Sequence, residues 1–421
     1  MVKITLLFVL LLFQFLGHSQ PPEPPIGHRW VLFDQYSDEF NDKALDTKKW
    51  RDTFNGWKGR PPAKFDPSTI SVQNGTMQIK NKKLGTPDGK YTIAGGAVQS
   101  LKQTAHFGYY EVKFKASKLS MSTTFWMSNG KKKIKGPTKL SNDCQKDSWS
   151  QELDIIESVG GEFNQPWASG FRTKINFNTH YRYIDCNGSP EKFYSAGNNA
   201  IEGNGIKADA TLVGGGESWE DFHTYGCYWR DSKTFDFYVD KKYAGTVIAS
   251  TNVVDTPFSE PMGINMVTET YDFATPYPTD DQLSNNKINT SYYDWVRSYR
   301  LFAVNEPESS TIDTSIVEVF DETISFFKDP ILDSKKNGIT LSYLYKANQN
   351  RTLKVHIINN KNKEVYSQDL KVLEGYGKAK TQLNLKTSLP KGSYTITADI
   401  RSNVPSNTSV IAVTKDHTII F

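Results

Sequence analysis

Between residues 28 and 303 no stretch of the chain keeps a helical period, and short runs that alternate or run apolar follow one another, divided by Gly, Asn, Asp and Pro. Thr76–Lys80, residues 108–114 and Thr234–Val239 are three such runs. A run of this kind can bury its apolar side only by stacking on another sheet, so the pattern predicts a β-sandwich or barrel. About 275 residues is large against the roughly 100 of a simple sandwich, so long loops should decorate the sheets. Aromatic residues, 13% of the chain with 9 Trp and 21 Tyr, suit such a core and also the stacking of rings on sugar faces.

Four other segments flank this block. Residues 1–19 read as a signal peptide: Lys3 gives the positive start, residues 4–16 are apolar except for Gln14, and Gly17-His18-Ser19 gives a small-x-small cleavage site. A Pro-rich lead-in covers 20–27. Residues 304–312 are a polar linker, and 313–421 again read as strands, at 339–343, 353–358 and 393–400, with a turn signal at Leu389-Pro390-Lys391-Gly392. This last block holds no Trp and no cluster of reactive side chains. It is expected to be a small immunoglobulin-like β-sandwich, an accessory module acting as spacer or carbohydrate binder.

The expected product is therefore an exported, membrane-free monomer. Fifty basic against 46 acidic residues argues against a polybasic nucleic-acid binder. Of three cysteines, Cys227 lies in a strand pattern and reads as a buried thiol, while Cys144 and Cys186 lie in polar loops and are available for one disulfide. No zinc-type ligand spacing, calcium loop or phosphate-cradling Gly-rich turn occurs, so no cofactor is expected for catalysis.

Chemistry concentrates in Gln151-Glu152-Leu153-Asp154-Ile155-Ile156-Glu157. In a strand Glu152 and Asp154 point together, and Glu157 has the wrong parity. A β-bulge that absorbs Ile155 or Ile156 would bring Glu157 to the same face. The two glutamate Cα atoms would then lie roughly 13 Å apart, and side chains leaning together would leave the carboxyls about 5 to 6 Å apart, the spacing of a retaining glycosidase. Gathering three carboxylates beside Leu153, Ile155 and Ile156 is costly and calls for a functional reason.

Glu-Leu-Asp-Ile-Ile-Glu resembles the bulged signature of glycoside hydrolase family 16. Asp38-Glu39-Phe40, Asn74-Gly75-Thr76-Met77, Phe107-Gly108-Tyr109-Tyr110-Glu111-Val112, Thr124-Phe125-Trp126-Met127, Phe222-His223-Thr224-Tyr225, Phe237-Tyr238-Val239-Asp240 and Tyr293-Asp294-Trp295-Val296-Arg297 fall in the family's order. The resemblance covers about residues 30 to 302. It implies a concanavalin-like jelly roll with a cleft, with Glu152 as nucleophile, Asp154 as its assistant and Glu157 as acid/base. Residues 55–65 and Asn178-Thr179-His180-Tyr181 are similar to agarases and porphyranases, which implies cleavage of β-1,4 linkages in a neutral or sulfated red-algal galactan. Carrageenan, furcellaran or β-1,3-glucan hydrolysis, and lectin-like binding without hydrolysis, are the alternatives.

Candidate substrate contacts follow. Trp57, in a Gly-flanked loop, Trp149, before the catalytic strand, and Trp126 are expected to stack on sugar rings. His180 and Glu269 are expected to bond hydroxyls, and Arg60 and Arg172 to meet sulfate. The basic run Lys131-Lys132-Lys133-Ile134-Lys135 reads as a solvated loop or a second contact for sulfate. The resemblance also implies a structural calcium with Asp294 as a ligand.

Overall fold

The computed structural model describes residues 21–129, 134–135, 138–140, 147–184, 192–197, 205–305, 322–333, 337–347, 350–373, 375–385, 388–401, 410–414 and 416–420. Cys144, Cys186, Lys131 to Lys133, the signal-peptide reading and most of the 304–312 linker lie outside these residues.

Two antiparallel sheets form the first domain. The sheet that bears the site runs, in spatial order, Lys192–Gly197, Asn178–Ile184, Ser148–Val159, Ser122–Ser128, Gly263–Thr268, Tyr91–Ser100 and Trp50–Arg51. The sheet behind it runs Gly205–Lys207, Lys242–Ile248, Thr234–Val239, His223–Trp229, Gly108–Lys115, Thr290–Ala303, Thr76–Lys80 and Ile70–Gln73. Neighbours in sequence are often not neighbours in the sheets, as a jelly roll requires.

Period-2 alternation explains the stacking. Phe125, Met127, Leu153, Ile264 and Met266 of the front sheet join Val112, Phe114, Tyr225 and Phe237 of the rear sheet in one buried cluster. Full burial of each such side chain contributes about 1.5–3 kcal/mol, so every strand is held in register by its inward face. The free thiol of Cys227 is part of the same cluster. Two of the motif segments prove to be fasteners rather than cleft residues. Asp38 accepts from Trp50 Nε1 at 2.9 Å, and Glu39 takes a bidentate pair of bonds from Arg297 at 2.7 and 2.8 Å. Both tie the N-terminal segment across the sandwich.

A second β domain follows. Thr323–Asp333, Gly338–Ala347 and Gly375–Asn384 form a three-stranded sheet. Glu364–Val372, Arg351–Asn359, Ser393–Arg401 and Val410–Val413, with His417–Ile420 paired to Ser393–Arg401, form a five-stranded one. Leu341, Val355, Ile357, Ile396 and Ile400 build its separate core. Among the described residues no helix is long and apolar enough to cross a membrane.

Candidate active site

The strand Ser148–Val159 lies between Asn178–Ile184 and Ser122–Ser128. Against Ser122–Ser128 its register slips by one residue: Asp154 faces Trp126 and Ile156 faces Phe125, leaving Ile155 as the extra residue of a bulge. Ile155 and Ile156 are both fully buried in the core, and Glu157 emerges on the face that carries Glu152 and Asp154. The apolar pair thus anchors the bulge, and the bulge aims Glu157.

All three carboxylates line one cavity of about 550 Å³, together with Phe54, Trp57, Arg60, Trp126, Arg182, Glu269 and Tyr271. Burial raises each acid above its ordinary range. Glu157 is pushed up to about 7, first by desolvation and then by the charge of Asp154. Glu152 also rises to about 7 through desolvation and Asp154, and the Arg182 guanidinium, 3.5 Å from both its oxygens, pulls the other way. Asp154 rises to about 7 through desolvation.

Each acid has a different neighbour. Tyr271 donates its hydroxyl to Glu157 Oε1 at 2.6 Å. Nε2 of His180 stands 3.0 Å from Asp154 Oδ2, and its Nδ1 is 2.7 Å from Ser195 Oγ. Burial holds the imidazole pKa down. Arg182 and His180 are two apart on one strand, opposite Ser150 and Glu152, so both face the cleft.

Aromatic rings wall the cavity. Phe54 stacks on Trp126 at 5.6 Å and 16°, and Trp57 meets Phe54 edge-on at 5.3 Å. The loop that carries Trp57 is shaped by Gly59, with φ +99°, where a Cβ would come within 2.9 Å of the Ala63 carbonyl. Glu269 accepts the Arg60 backbone N–H at 3.0 Å and lies 3.8 Å from its guanidinium. It therefore holds the Trp57–Arg60 loop in place from the cavity wall, and burial raises it to about 8 despite Arg60. From Tyr271 a ring path runs through Phe273 at 5.0 Å to Trp167 at 5.1 Å, which is 63% exposed. On the other side Phe193, 52% exposed, lies under the Arg182 guanidinium at 5.2 Å.

Three expectations need correction. Trp149 is 3% exposed and belongs to the core, because it shares the parity of Leu153 and not of Glu152. Arg172 sits in the helical turn Gly170–Thr173, 3.7 Å from Glu217, and is not among the residues lining the cavity. Asp294 pairs with the Lys113 ammonium at 2.8 Å. The Asp294 carboxylate is thus engaged by a cation of the chain itself, and among the described residues no group of three Asp, Glu, His or Cys side chains surrounds it. The one such group among them is Glu152, Asp154 and His180, whose ligand atoms lie within 4.8 Å of one another.

Arg182, Tyr271, Phe54, Phe193 and Trp167 were not singled out from sequence. Arg182 carried a usable signal, since it lies two residues from His180 and so shares its face. Tyr271 and Trp167 come from loops, where no periodicity fixes direction.

Paired, half-buried glutamates over one sheet of a jelly-roll sandwich define a carbohydrate-cleaving hydrolase. Residues 30–301 match the GH16 domain model of β-porphyranases A–D, and residues 324–413 match the porphyranase-associated domain. The chain therefore belongs to the β-porphyranase A–D branch of glycoside hydrolase family 16. It is 45% identical to β-porphyranase E of Zobellia galactanivorans over 67% of this chain and 92% of that one. With β-porphyranase D of the same organism it shares 37% identity over 90% of this chain and 87% of the other. The crystal structure of a β-porphyranase from the human gut bacterium Bacteroides plebeius superposes with a TM-score of 0.61 at 40% identity, covering 68% of this chain and 96% of that one.

Proposed function

We propose that the chain is an endo-acting, retaining hydrolase of β-1,4 linkages in a red-algal galactan, with Glu152 as nucleophile, Glu157 as acid/base and Asp154 as the group that steadies Glu152. The observation that carries this reading is the bulge at Ile155, which sets three desolvated carboxylates on one cavity face. A binding protein has no use for that cost.

Arg182, 3.5 Å from both Glu152 oxygens, pulls toward the ionised form that attack requires, against the burial that raises this acid to about 7. Glu157, raised by burial, keeps a proton near neutrality and suits the acid. In the first half-reaction a Glu152 oxygen bonds to the anomeric carbon while the bond to the leaving oxygen breaks and Glu157 protonates that oxygen. In the second, Glu157 takes a proton from water as the water oxygen bonds to the anomeric carbon and Glu152 departs. His180 packs beside Asp154, 3.0 Å from its Oδ2.

A sulfated galactan such as porphyran is the favoured substrate. Arg60 and Arg182 both line the cavity, and the relatives at 37% identity or more named above are β-porphyranases. Export follows from residues 1–19. The test is incubation with porphyran, agarose, κ-carrageenan, furcellaran and laminarin, with the released oligosaccharides sized. Release of oligosaccharides from porphyran or agarose is expected. Cleavage of laminarin alone would overturn the galactan reading.

A further inference from the structure

We infer that the C-terminal domain carries its own binding groove for sulfated galactan, on the outer face of its three-stranded sheet. Charge is the first argument. Residues 322–421 hold 15 Lys and Arg against 8 Asp and Glu, whereas residues 1–321 hold 35 against 38. The small positive charge of the whole chain thus conceals a mildly acidic first part and a strongly basic last hundred residues, an asymmetry that points to a polyanionic partner.

Structure gathers part of that charge at one place. In Gly375–Asn384, Leu383 is buried in the domain core, so the alternate residues Lys378 and Lys380 face outward. Lys380 pairs with Ser342 of the middle strand, and Ser342 pairs in turn with Lys328 of the edge strand. The three lysines thereby converge across the sheet. The register of the edge strand slips between Phe326 and Lys328, leaving Phe327 as the extra residue, and its ring lies 4.7 Å from the Lys378 ammonium. That contact holds the ammonium at the groove.

The groove has a volume of about 340 Å³ and is lined by Phe327, Lys328, Ile331, Ser342, Lys378, Ala379 and Lys380. Among the described residues no carboxylate lines it. Three lysines brought to one small groove give it a positive potential that attracts an anion. Ile331, 59% exposed, and the Phe327 ring supply an apolar wall. Apolar wall and ammonium groups together match a pyranose bearing sulfate, which presents an apolar face and a fixed negative charge. A neutral galactan would lack the second half of that match. The choice of sulfated galactan as occupant rests on the function proposed above. Tethered to a hydrolase, such a groove would raise the local concentration of the catalytic cleft on its polymer.

Affinity electrophoresis of the full chain through gels containing porphyran or agarose tests this, with Glu152→Gln as the parent so that the polymer is not cut. Substitution of Lys328, Lys378 and Lys380 by Gln should weaken retention in porphyran by about tenfold at low salt and leave retention in agarose unchanged. The same three substitutions in the active chain should leave hydrolysis of short soluble oligosaccharides unchanged. A second triple variant, with Lys361, Lys363 and Lys391 replaced by Gln, removes equal charge from elsewhere in the domain and should have little effect. Unchanged porphyran retention in the first variant, or equal loss in both, would overturn the groove. Porphyran cleavage by the chain with Glu152 intact reports separately on the function itself.

Discussion

His180 Nε2 stands 3.0 Å from Asp154 Oδ2, the acid lying between Glu152 and Glu157 in sequence. The ring stands beside the acid as a close neighbour, and its Nδ1 is 2.7 Å from Ser195 Oγ on the far side. His180→Ala removes that neighbour and should lower kcat by about 10-fold. KM should change far less. Steady-state kinetics on a soluble galactan oligosaccharide would show the split, and a rise in KM alone would make His180 a sugar contact only.

Glu157 sets a pH dependence with a defined sign. Its pKa is raised in the fold from 4.5 to about 7, so the folded state binds more protons than the unfolded one between those values. Stability from this group is therefore highest below about pH 4.5 and declines as pH rises to about 7, by on the order of 3 kcal/mol. Glu157→Gln should raise Tm relative to the parent at pH 8 and give little gain at pH 5, while losing most activity. In the parent, kcat/KM should fall on the alkaline side with an apparent pKa near 7. Equal Tm differences at both pH values would contradict the desolvation of Glu157.

The bulge itself can be removed. Deleting Ile155 removes only the extra residue and, by strict alternation, leaves Glu157 on the face of Glu152 and Asp154, so hydrolysis should persist. Inserting one Ala after Ile156 reverses the parity instead, turns the Glu157 side chain toward the core, and should lower hydrolysis to the level of Glu152→Gln. Retained activity of the insertion variant with an intact far-ultraviolet circular dichroism spectrum would mean that strand parity does not aim the acid.

Trp149 and Trp126 should separate cleanly. Trp149→Ala removes a core ring and should cost about 3–5 kcal/mol of stability. Trp126→Ala removes a cavity ring stacked on Phe54 and should raise KM for polymer with a smaller change in Tm. Chemical denaturation and kinetics on the two variants check both expectations.

Much of this was legible in the amino-acid sequence, for reasons that differ by residue. Period-2 alternation fixed the strands at Thr76–Lys80 and Thr234–Val239 as the structure has them. The parity mismatch between Asp154 and Glu157 required a bulge, and geometry chose Ile155 over Ile156. Trp149 was misplaced although the same parity argument, counted back from Glu152, would have put it in the core. Arg172 and Asp294 were assigned by similarity of type and position, and their ion pairs with Glu217 and Lys113 depend on long-range contacts that spacing does not encode. Tyr271 reaches Glu157 across 114 positions of chain from a loop, where direction is set by tertiary packing alone.

Azide rescue bears most directly on the two glutamates. Glu152→Ala leaves room on the nucleophile's side of the sugar, so added azide should restore cleavage and yield the α-glycosyl azide. Glu157→Ala leaves the glycosyl-enzyme intermediate to be trapped by azide, and should yield the β-glycosyl azide. Proton NMR of the two products reads the anomeric configuration. Opposite anomers in this order confirm Glu152 as nucleophile and Glu157 as acid/base; the reverse order, or the same anomer from both variants, would contradict the assignment.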